Sequence, residues 1–348
     1  IYHLLPSQAN SQSICFQIML SLPVMKQRHY TIPVFIPEEA CPNQCVFCNQ
    51  HRIAGAECAP SVEEVIRKIN AHLLTIPAEG EVEIGFFGGN FTGIPLAEQQ
   101  AYLGSVQNFI NSGRIQGIRL STRPDYITPE ILSFLKQYHV TSIELGAQSL
   151  DDGVLKLAGR GHTSGQVALA SQLITDHGFK LGLQMMIGLP GDTPEKSMFT
   201  AKEIIRLGAA CTRIYPTLVI KNTELEQLYL EGKYAPLLLS EAIEQVADIV
   251  PLFIEADVKI LRIGLHPSEG LLDRSSLVAG PFEVAFGEMV FSKIWNSKFS
   301  NMAFPNGKRN QLVITVANGM RNPAIGYKAV NKNLLLESFR KVIFNESA

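Results

Sequence analysis

The chain has 348 residues, of which 46% are apolar and 18% charged, and its formal net charge at pH 7 is −2. This composition excludes a disordered or fibrous chain and is enough to fill one large domain, or a large and a small one. No apolar run approaches the roughly eighteen residues that a membrane-spanning helix needs. The six cysteines are too few for a disulfide framework in a chain of this length. We therefore expect a globular protein of the reducing cytoplasm that makes no membrane contact.

The first residues are expected to stand outside the folded body. Residues 1–24 have no basic start and no small-residue cleavage site, so they do not resemble a signal peptide, and translation could begin at Met25. We expect three regions: a disordered N-terminal extension over 1–28, a barrel over 29–270 and a basic α+β region over 271–348.

The middle of the chain alternates predicted strands with predicted helices. Seven apolar runs bounded by Gly or Pro predict strands, and they lie at 30–37, 81–89, 117–124, 141–149, 180–190, 213–219 and 258–267. Ser61 with Glu64 predicts a capping box, and Thr128 and Thr193 each precede a proline at a predicted first helical position. Strands that alternate with helices pair in parallel. We therefore expect an α/β protein with a partial (β/α)6-type barrel; a flat doubly wound sheet is the main alternative.

Residues able to bind ligands lie at the carboxyl ends of these predicted strands. They are the cysteines after the first run and then Gly88, Gly89, Asn90, Arg123, Asp125, Gln148, Gly188, Tyr215 and His266. In β/α barrels the carboxyl ends of the strands face one mouth, where ligands bind. Each position taken singly could be an ordinary turn. Together they predict a site at the mouth of the barrel.

Three cysteines with C-x-x-x-C-x-x-C spacing, Cys41, Cys45 and Cys48, follow the first strand. A structural zinc site needs four ligands and would have to borrow one, such as His51. A redox or structural cysteine group is a second alternative. A 4Fe-4S cluster held by three thiolates leaves one iron open to a ligand that is not protein, as a catalytic cluster requires. The absence of a fourth cysteine in register favours the cluster.

The cysteine loop resembles the signature of the radical S-adenosylmethionine (SAM) superfamily, including an aromatic residue before the last cysteine. The resemblance implies a 4Fe-4S cluster whose open iron is chelated by the amino and carboxylate groups of SAM. It also implies that one electron from the cluster cleaves SAM to a 5′-deoxyadenosyl radical. "FFGGN" matches the segment that meets the methionyl amino group, and "MIGLPGDT" matches the segment near the adenosine. The residues so implied in cofactor binding are Phe47, Gly88, Gly89, Asn90, Ile187 and Gly188.

Three further stretches, at 122–127, 143–163 and 213–234, look like the radical SAM portion of the catalytic subunit of Elongator, a tRNA wobble-uridine modifying enzyme. A weaker similarity extends to the oxygen-independent coproporphyrinogen oxidases. The resemblance covers about residues 29–270. Only 78 residues follow Gly270, so we expect the acetyltransferase domain of Elongator to be absent.

This comparison assigns further site residues. It implies that Tyr215 and Lys221 lie beside the adenosine and the substrate cavity. We predict Arg123, Gln148 and Lys221 as catalytic residues, with Arg123 and Gln148 facing the cavity and contacting SAM. On the loop after the fourth strand, Arg160 and His162 are candidates for substrate contact. Asn90 departs from the Thr, Ser or Glu of the relatives, and His266 could equally be a core residue.

Charge is distributed unevenly along the chain. Residues 293–341 contain nine basic residues and one acidic residue, Glu337, a net charge of +8. A basic segment on an acidic body is typical of nucleic-acid contact, although a solvated lysine-rich surface would look the same. We expect tRNA as a partner of this segment, and a separate protein as electron donor.

Three functions remain open from the sequence. The first is a radical SAM enzyme that modifies tRNA or another RNA. The second is a radical SAM enzyme that acts on a small metabolite, as the coproporphyrinogen oxidases do. The third is a noncatalytic metal-binding protein, which the ligand-binding residues at seven strand ends disfavour.

Overall fold

The computed structural model describes residues 13–17, 29–37, 41, 44–49, 58–302 and 309–347. In chain order its strands are β1 (Ser13–Gln17), β2 (His29–Ile36), β3 (Glu81–Gly88), β4 (Gly117–Thr122), β5 (Val140–Gln148), β6 (Lys180–Ile187), β7 (Cys211–Pro216), β8 (Val219–Ile220), β9 (Lys259–Ile263), β10 (Leu277–Ala279), β11 (Arg309–Val316) and β12 (Phe339–Glu346). β8 and β10 pair antiparallel beside the main sheet.

Helices connect most of these strands. They are α1 (Val62–Leu73), α2 (Leu96–Asn111), α3 (Pro129–Lys136), α4 (Asp152–Leu157), α5 (Ser164–Asp176), α6 (Pro194–Arg206), α7 (Glu224–Leu230), α8 (Leu239–Glu255), α9 (Glu269–Leu272), α10 (Phe286–Ser300), α11 (Arg321–Ile325) and α12 (Val330–Ser338). The predicted caps are present: Ser61 closes a capping box with Glu64, and Thr128 and Thr193 cap α3 and α6. Within the described residues, none of the helices is long and apolar enough to cross a membrane.

The main sheet runs β2-β3-β4-β5-β6-β7-β9, and every neighbouring pair is parallel. A doubly wound sheet would reverse its strand order at a switch point, whereas here the strands follow the chain from one edge to the other. Sequential right-handed crossovers place the helices on one face, and the sheet curls as a half-barrel. The expected α/β partial barrel is confirmed, with a seventh strand at one edge.

Successive side chains along each strand of the main sheet point alternately into two environments. On β5, Ile143 and Leu145 are fully buried in the core that the sheet shares with the helices. Glu144 lies between them, and side chains alternate across a strand, so its carboxylate points to the opposite, concave face. Arg213 on β7 is placed in the same way, because its neighbour Ile214 belongs to the helix-side core. The helix side is therefore apolar and the concave face carries charge.

A second sheet, of order β1-β11-β12 with all strands parallel, forms a C-terminal unit. Residues 13–17, which belong to the extension expected to be disordered, pair with residues 311–315 of β11. Helix α12 ends at Ser338 and β12 follows, where Val342 and Phe344 pack in the core of this unit.

Helix α10 joins the two parts of the molecule. Phe286, Val290 and Ile294 pack in the barrel core, whereas Trp295 and Phe299 pack in the core of the C-terminal unit. The barrel core therefore extends beyond residue 270, the limit expected from the sequence, since the first half of this helix packs against α8 and β9.

Candidate active site

The cysteine loop lies at the carboxyl end of β2 and is anchored by its main chain. The Cys48 N–H donates to the Cys45 carbonyl at 2.9 Å, closing a turn. The Val46 N–H donates to the Ala158 carbonyl (3.2 Å), and the Val46 carbonyl accepts from the Leu225 N–H (2.7 Å). The loop is thus held between the segment after α4 and the start of α7. These contacts fix Cys45 at the mouth of the half-barrel.

Arg160 points its guanidinium at the cysteine loop. Its Nη1 donates to Cys45 Sγ at 3.1 Å, and its Nη2 donates to the Gly146 carbonyl at 2.6 Å. Its Nε has no hydrogen-bond partner, and no carboxylate of the described residues pairs with it. Only 7% of Arg160 is exposed. A buried cation without a counter-charge costs several kcal/mol, so this position calls for an anion.

Arg123 lies next to Arg160 but has its own counter-ion. Its Nε and Nη2 donate to the two Asp125 carboxylate oxygens, both at 2.9 Å, and Nη2 also donates to the Arg160 carbonyl at 2.8 Å. Burial alone would lower the pKa of Arg123, but Asp125, with smaller contributions from Cys45 and Cys41, raises it. The guanidinium stays charged, and its Nη1 is left without a hydrogen-bond partner among the described residues.

His162 completes this group at the mouth. The residue is 4% exposed, and neither ring nitrogen has a hydrogen-bond partner in the part of the chain that the structure describes. Burial, followed by the charges of Arg160 and Arg123, lowers the pKa of His162 to about 3. The imidazole is therefore neutral at pH 7. It offers one N–H donor and one acceptor to a ligand.

Glycines at the end of β3 are required by the neighbouring strand. Gly88 has φ +121°, and a Cβ built there would lie 1.9 Å from the Ile36 carbonyl oxygen. The Gly89 N–H donates to the same oxygen at 3.0 Å. The family resemblance assigned these glycines to the binding of SAM. At Gly88 the close neighbour is the β2 main chain, and SAM contact at both positions stays a prediction.

Asn90 joins two strand ends. Its Oδ1 accepts from Thr122 Oγ1 at 2.6 Å and from the Arg123 N–H at 3.2 Å, and the residue is 3% exposed. The side chain thus ties the end of β3 to the end of β4 and positions Arg123. Its predicted contact with SAM remains untested.

The glycine-rich loop after β6 is closed by an acid that the sequence interpretation missed. Asp192 accepts from the Gly188 N–H at 2.8 Å and from Ser197 Oγ at 2.7 Å, and burial raises the pKa of Asp192. Tyr234 donates to the Gly188 carbonyl at 2.7 Å. The Ile187 side chain lies in the helix-side core, so any cofactor contact there would come from its main chain. The motif "GDT" at 191–193 was the feature of the sequence that could have identified Asp192.

Gln148 and Tyr215 both belong to the concave face. Gln148 adopts φ +65°, uncommon for a residue with a side chain, and its Oε1 accepts from Gln184 at 3.2 Å. Strained backbone of this kind is concentrated at functional sites. Tyr215 lies close to Arg213, and burial raises the pKa of Tyr215. The predicted contacts of both residues with the cofactor and the substrate cavity stay predictions.

A ladder of ion pairs crosses the concave face, and the sequence interpretation missed it. Arg119 lies 3.1 Å from Glu83 and 3.4 Å from Glu144, and Arg213 lies 2.6 Å from Glu144. Burial raises the pKa of Glu83, but the hydrogen bond from His29 and the charge of Arg119 outweigh it and lower the pKa to about 2. The available signal was a charged residue at alternate positions of otherwise apolar strands.

Three other predicted residues are less central. The Lys221 side chain is exposed, and it is its main-chain carbonyl that accepts from Asn49 Nδ2 of the cysteine loop, at 3.4 Å. Phe47 is buried in an apolar cluster with Met186 and Leu189. His266 is exposed, and partial burial of its ring together with Arg262 lowers the pKa of His266. The catalytic assignment of Lys221 stays a prediction.

The residues at the mouth fit an iron–sulfur cluster by their chemistry. The loop supplies three thiols, and Arg160 supplies a positive charge that no carboxylate of the described residues compensates. A cavity of about 440 Å³ adjoins Cys45 on the side of α7, where Gln44, Asn222, Thr223, Glu224, Glu226 and Gln227 also line it. In the described part of the chain, no group of three His, Cys, Asp or Glu side chains is already placed to hold a metal ion. His51, the ligand that a zinc site would borrow, lies outside the described residues.

A curled sheet of parallel strands, with a three-cysteine loop after its first strand, defines the class of radical SAM enzymes. The chain belongs to the radical SAM superfamily: the superfamily model matches residues 35–204, and the radical SAM C-terminal domain model matches residues 209–296. The fold resembles that of Elp3 from the archaeon Methanocaldococcus infernus, with a TM-score of 0.64 at 22% identity over 80% of this chain and 65% of that chain.

Curated relatives extend this comparison. The chain is 27% identical over 257 residues to a tRNA uridine(34) acetyltransferase of Dehalococcoides mccartyi, covering 64% of this chain and 56% of that protein. It is 29% identical over 194 residues to Elongator complex protein 3 of Schizosaccharomyces pombe, covering 49% of this chain and 36% of that protein. The chain thus spans about half or less of the length of these relatives. The predicted family resemblance is confirmed.

Proposed function

We propose that the protein holds a 4Fe-4S cluster on Cys41, Cys45 and Cys48 and uses it to cleave SAM. The chemistry that the cluster supplies when bound is one electron, which splits SAM to methionine and a 5′-deoxyadenosyl radical able to abstract hydrogen. The observation that carries this proposal is the buried Arg160 guanidinium, which donates to Cys45 Sγ and has no carboxylate partner among the described residues. Thiolates that bind a cluster supply the negative charge that this cation needs.

Several side chains are available to hold SAM beside the cysteine loop. Arg160 Nε and both nitrogens of His162 are buried and lack hydrogen-bond partners among the described residues, so they can receive the carboxylate and hydroxyl groups of a polar ligand. Gln148 and Tyr215 lie on β5 and β7 at the ends of neighbouring parts of the same sheet, and we propose that they contact the bound cofactor. Arg123, neutralised by Asp125, supports the group through the Arg160 carbonyl. These contacts would orient SAM without adding a second free charge.

We propose RNA, and tRNA in particular, as the substrate. The support is the similarity to tRNA uridine(34) acetyltransferase and Elongator complex protein 3, together with the basic C-terminal unit. Arg321, Lys328, Arg340 and Lys341 are exposed there, whereas Lys293 is already paired with Glu244 at 2.7 Å. Exposed basic side chains attract nucleic acid by releasing its counterions. A separate reductant protein would supply the electron.

The test begins with anaerobic reconstitution of the protein with iron and sulfide. Iron and sulfide are counted per chain, and the spectrum of the reduced cluster is recorded by electron paramagnetic resonance with and without SAM. We expect about four irons per chain and a spectrum that changes when SAM is added. Cys45→Ala should abolish both, whereas Cys58→Ala, a matched change at an exposed cysteine outside the loop, should leave both intact. Equal behaviour of the two variants would contradict the proposal.

A further inference from the structure

Two arginines, with a tyrosine and a histidine close by, lie on the last two strands of the half-barrel, at its open edge. β9 is the last strand of the sheet, and its register places Arg262 directly opposite Arg213 on β7. Paired residues of neighbouring strands point to the same face, so Arg262 joins Arg213 on the concave side. Tyr215 and His266 lie within electrostatic range of Arg262. We call Arg213, Tyr215, Arg262 and His266 the edge cluster.

Of the two arginines in the edge cluster, Arg262 has no counter-charge among the described residues. Arg213 is neutralised by Glu144 at 2.6 Å. Arg262 donates from Nε to the Gly264 carbonyl and from Nη2 to the Leu265 carbonyl, both at 2.9 Å. No carboxylate of the described residues pairs with Arg262, and like charges opposite each other on neighbouring strands are destabilising. Burial, together with Arg213, lowers the pKa of Arg262. An anion at this edge would supply the counter-charge that Arg262 lacks, and it would offset the repulsion between Arg262 and Arg213.

The position of the edge cluster indicates which anion fits. A Cβ on Gly264 would lie 3.2 Å from Phe286, the first residue of α10, and α10 leads to the basic C-terminal unit. Its 15 residues span about 22 Å at about 1.5 Å per residue. This is about six nucleotides at about 3.4 Å per phosphate along a strand. A small anion would contact only the edge cluster, whereas a nucleic-acid strand of this length would contact both the edge cluster and the basic C-terminal unit.

We infer that the edge cluster binds a backbone phosphate of the RNA substrate, with Arg262 as the direct contact, while the C-terminal unit holds the same RNA further along α10. The inference rests on the proposed function, since it takes RNA as the substrate. The phosphate would lie at the entrance of the concave cavity. It would fix the register in which a nucleotide enters the half-barrel, because phosphate contacts position a nucleic acid without reading its sequence.

The test is the salt dependence of tRNA binding by the reconstituted protein. Fluorescence anisotropy of labelled tRNA over a series of KCl concentrations gives the slope of log K against log salt. Each phosphate contact contributes about 0.7 to 0.9 to this slope. Arg262→Gln should therefore reduce the slope by about that amount, and Arg262→Lys, which keeps the charge, should retain the wild-type slope. Arg67→Gln, on the exposed outer surface of α1, is the matched control and should change nothing.

The outcomes separate this inference from the proposed function. A slope in Arg262→Gln equal to the wild-type slope, with wild-type binding intact, would overturn the inference and leave RNA as the substrate. If Arg262→Lys loses as much slope as Arg262→Gln, the contacts to Gly264 and Leu265 are responsible rather than the charge, and the inference is again overturned. A wild-type protein that binds tRNA with no salt dependence, or not at all, would overturn both.

Discussion

Protonation of His162 should make the protein lose stability in mild acid. The imidazole takes up its proton near pH 6.5 in the unfolded chain and at about 3 in the folded protein. Because the folded-state pKa is the lower one, the unfolded state binds more protons below pH 6.5, and stability falls as pH falls from 6.5 toward 3. From pH 7.5 to pH 5 the loss is about 2 kcal/mol, and over the whole interval it is about 5 kcal/mol, at about 1.36 kcal/mol per unit of pKa.

The assay is urea unfolding at pH 7.5 and pH 5, followed by far-ultraviolet circular dichroism. The single tryptophan, Trp295, is unsuitable because it lies in the core of the C-terminal unit. In His162→Gln, the decrease in unfolding free energy between the two pH values should be about 2 kcal/mol smaller than in the wild type. His139→Gln, which removes an exposed imidazole, should keep the wild-type decrease. Equal decreases in the wild type and His162→Gln would show that His162 does not cause the loss of stability in acid.

Three further changes test the mouth of the half-barrel. Gly88→Ala should destabilise the protein by about 3 kcal/mol or more, since the new Cβ would lie 1.9 Å from the Ile36 carbonyl oxygen; a loss below about 1 kcal/mol in urea unfolding would contradict this. Arg160→Gln should lower the midpoint potential of the reconstituted cluster, because cationic donors to cluster sulfurs favour the reduced state. The shift should be about tenfold in the reduction equilibrium, or ~59 mV, and unchanged potentials in a redox titration would exclude this role. Burial raises the pKa of Asp192, so its contribution to stability is present at low pH and lost as pH rises through the folded-state pKa. As pH rises through the folded-state pKa, Asp192→Asn should therefore lose less unfolding free energy than the wild type. If both proteins show the same pH dependence of unfolding, Asp192 does not make this contribution.

Local patterns were sufficient to predict the barrel. Every predicted strand of the main sheet is present, because parallel strands buried by helices are continuous apolar runs that stand out in a sequence. The cysteine loop was equally visible, since its spacing is local. β12 was missed because "SFRKVIF" has apolar residues at positions compatible with either a helix or a strand. Pairing with β11 decides between them, and the sequence of the segment alone contains no trace of that pairing.

The charge pairing of the site could not be predicted, because its members are far apart in the chain. Arg160 lies 115 positions from Cys45, and Arg213 lies 69 positions from Glu144. Only the register of the sheet brings such residues together. Arg123 is a different case, because its partner Asp125 is only two positions away, and the sequence could not distinguish this local ion pair from a contact with SAM. Residue types at strand ends thus predicted the location of the site, but not which charges remain uncompensated.

Support of SAM cleavage by the cysteine loop is measured by the formation of 5′-deoxyadenosine. The anaerobically reconstituted, reduced protein is incubated with SAM, with and without tRNA, and 5′-deoxyadenosine is quantified for the wild type, Cys45→Ala and Cys58→Ala. We predict that the nucleoside forms in the wild type and in Cys58→Ala and is absent from Cys45→Ala. If the wild type carries a complete cluster and yields no 5′-deoxyadenosine under either condition, or if Cys45→Ala yields as much as the wild type, the proposed SAM cleavage by this loop is contradicted.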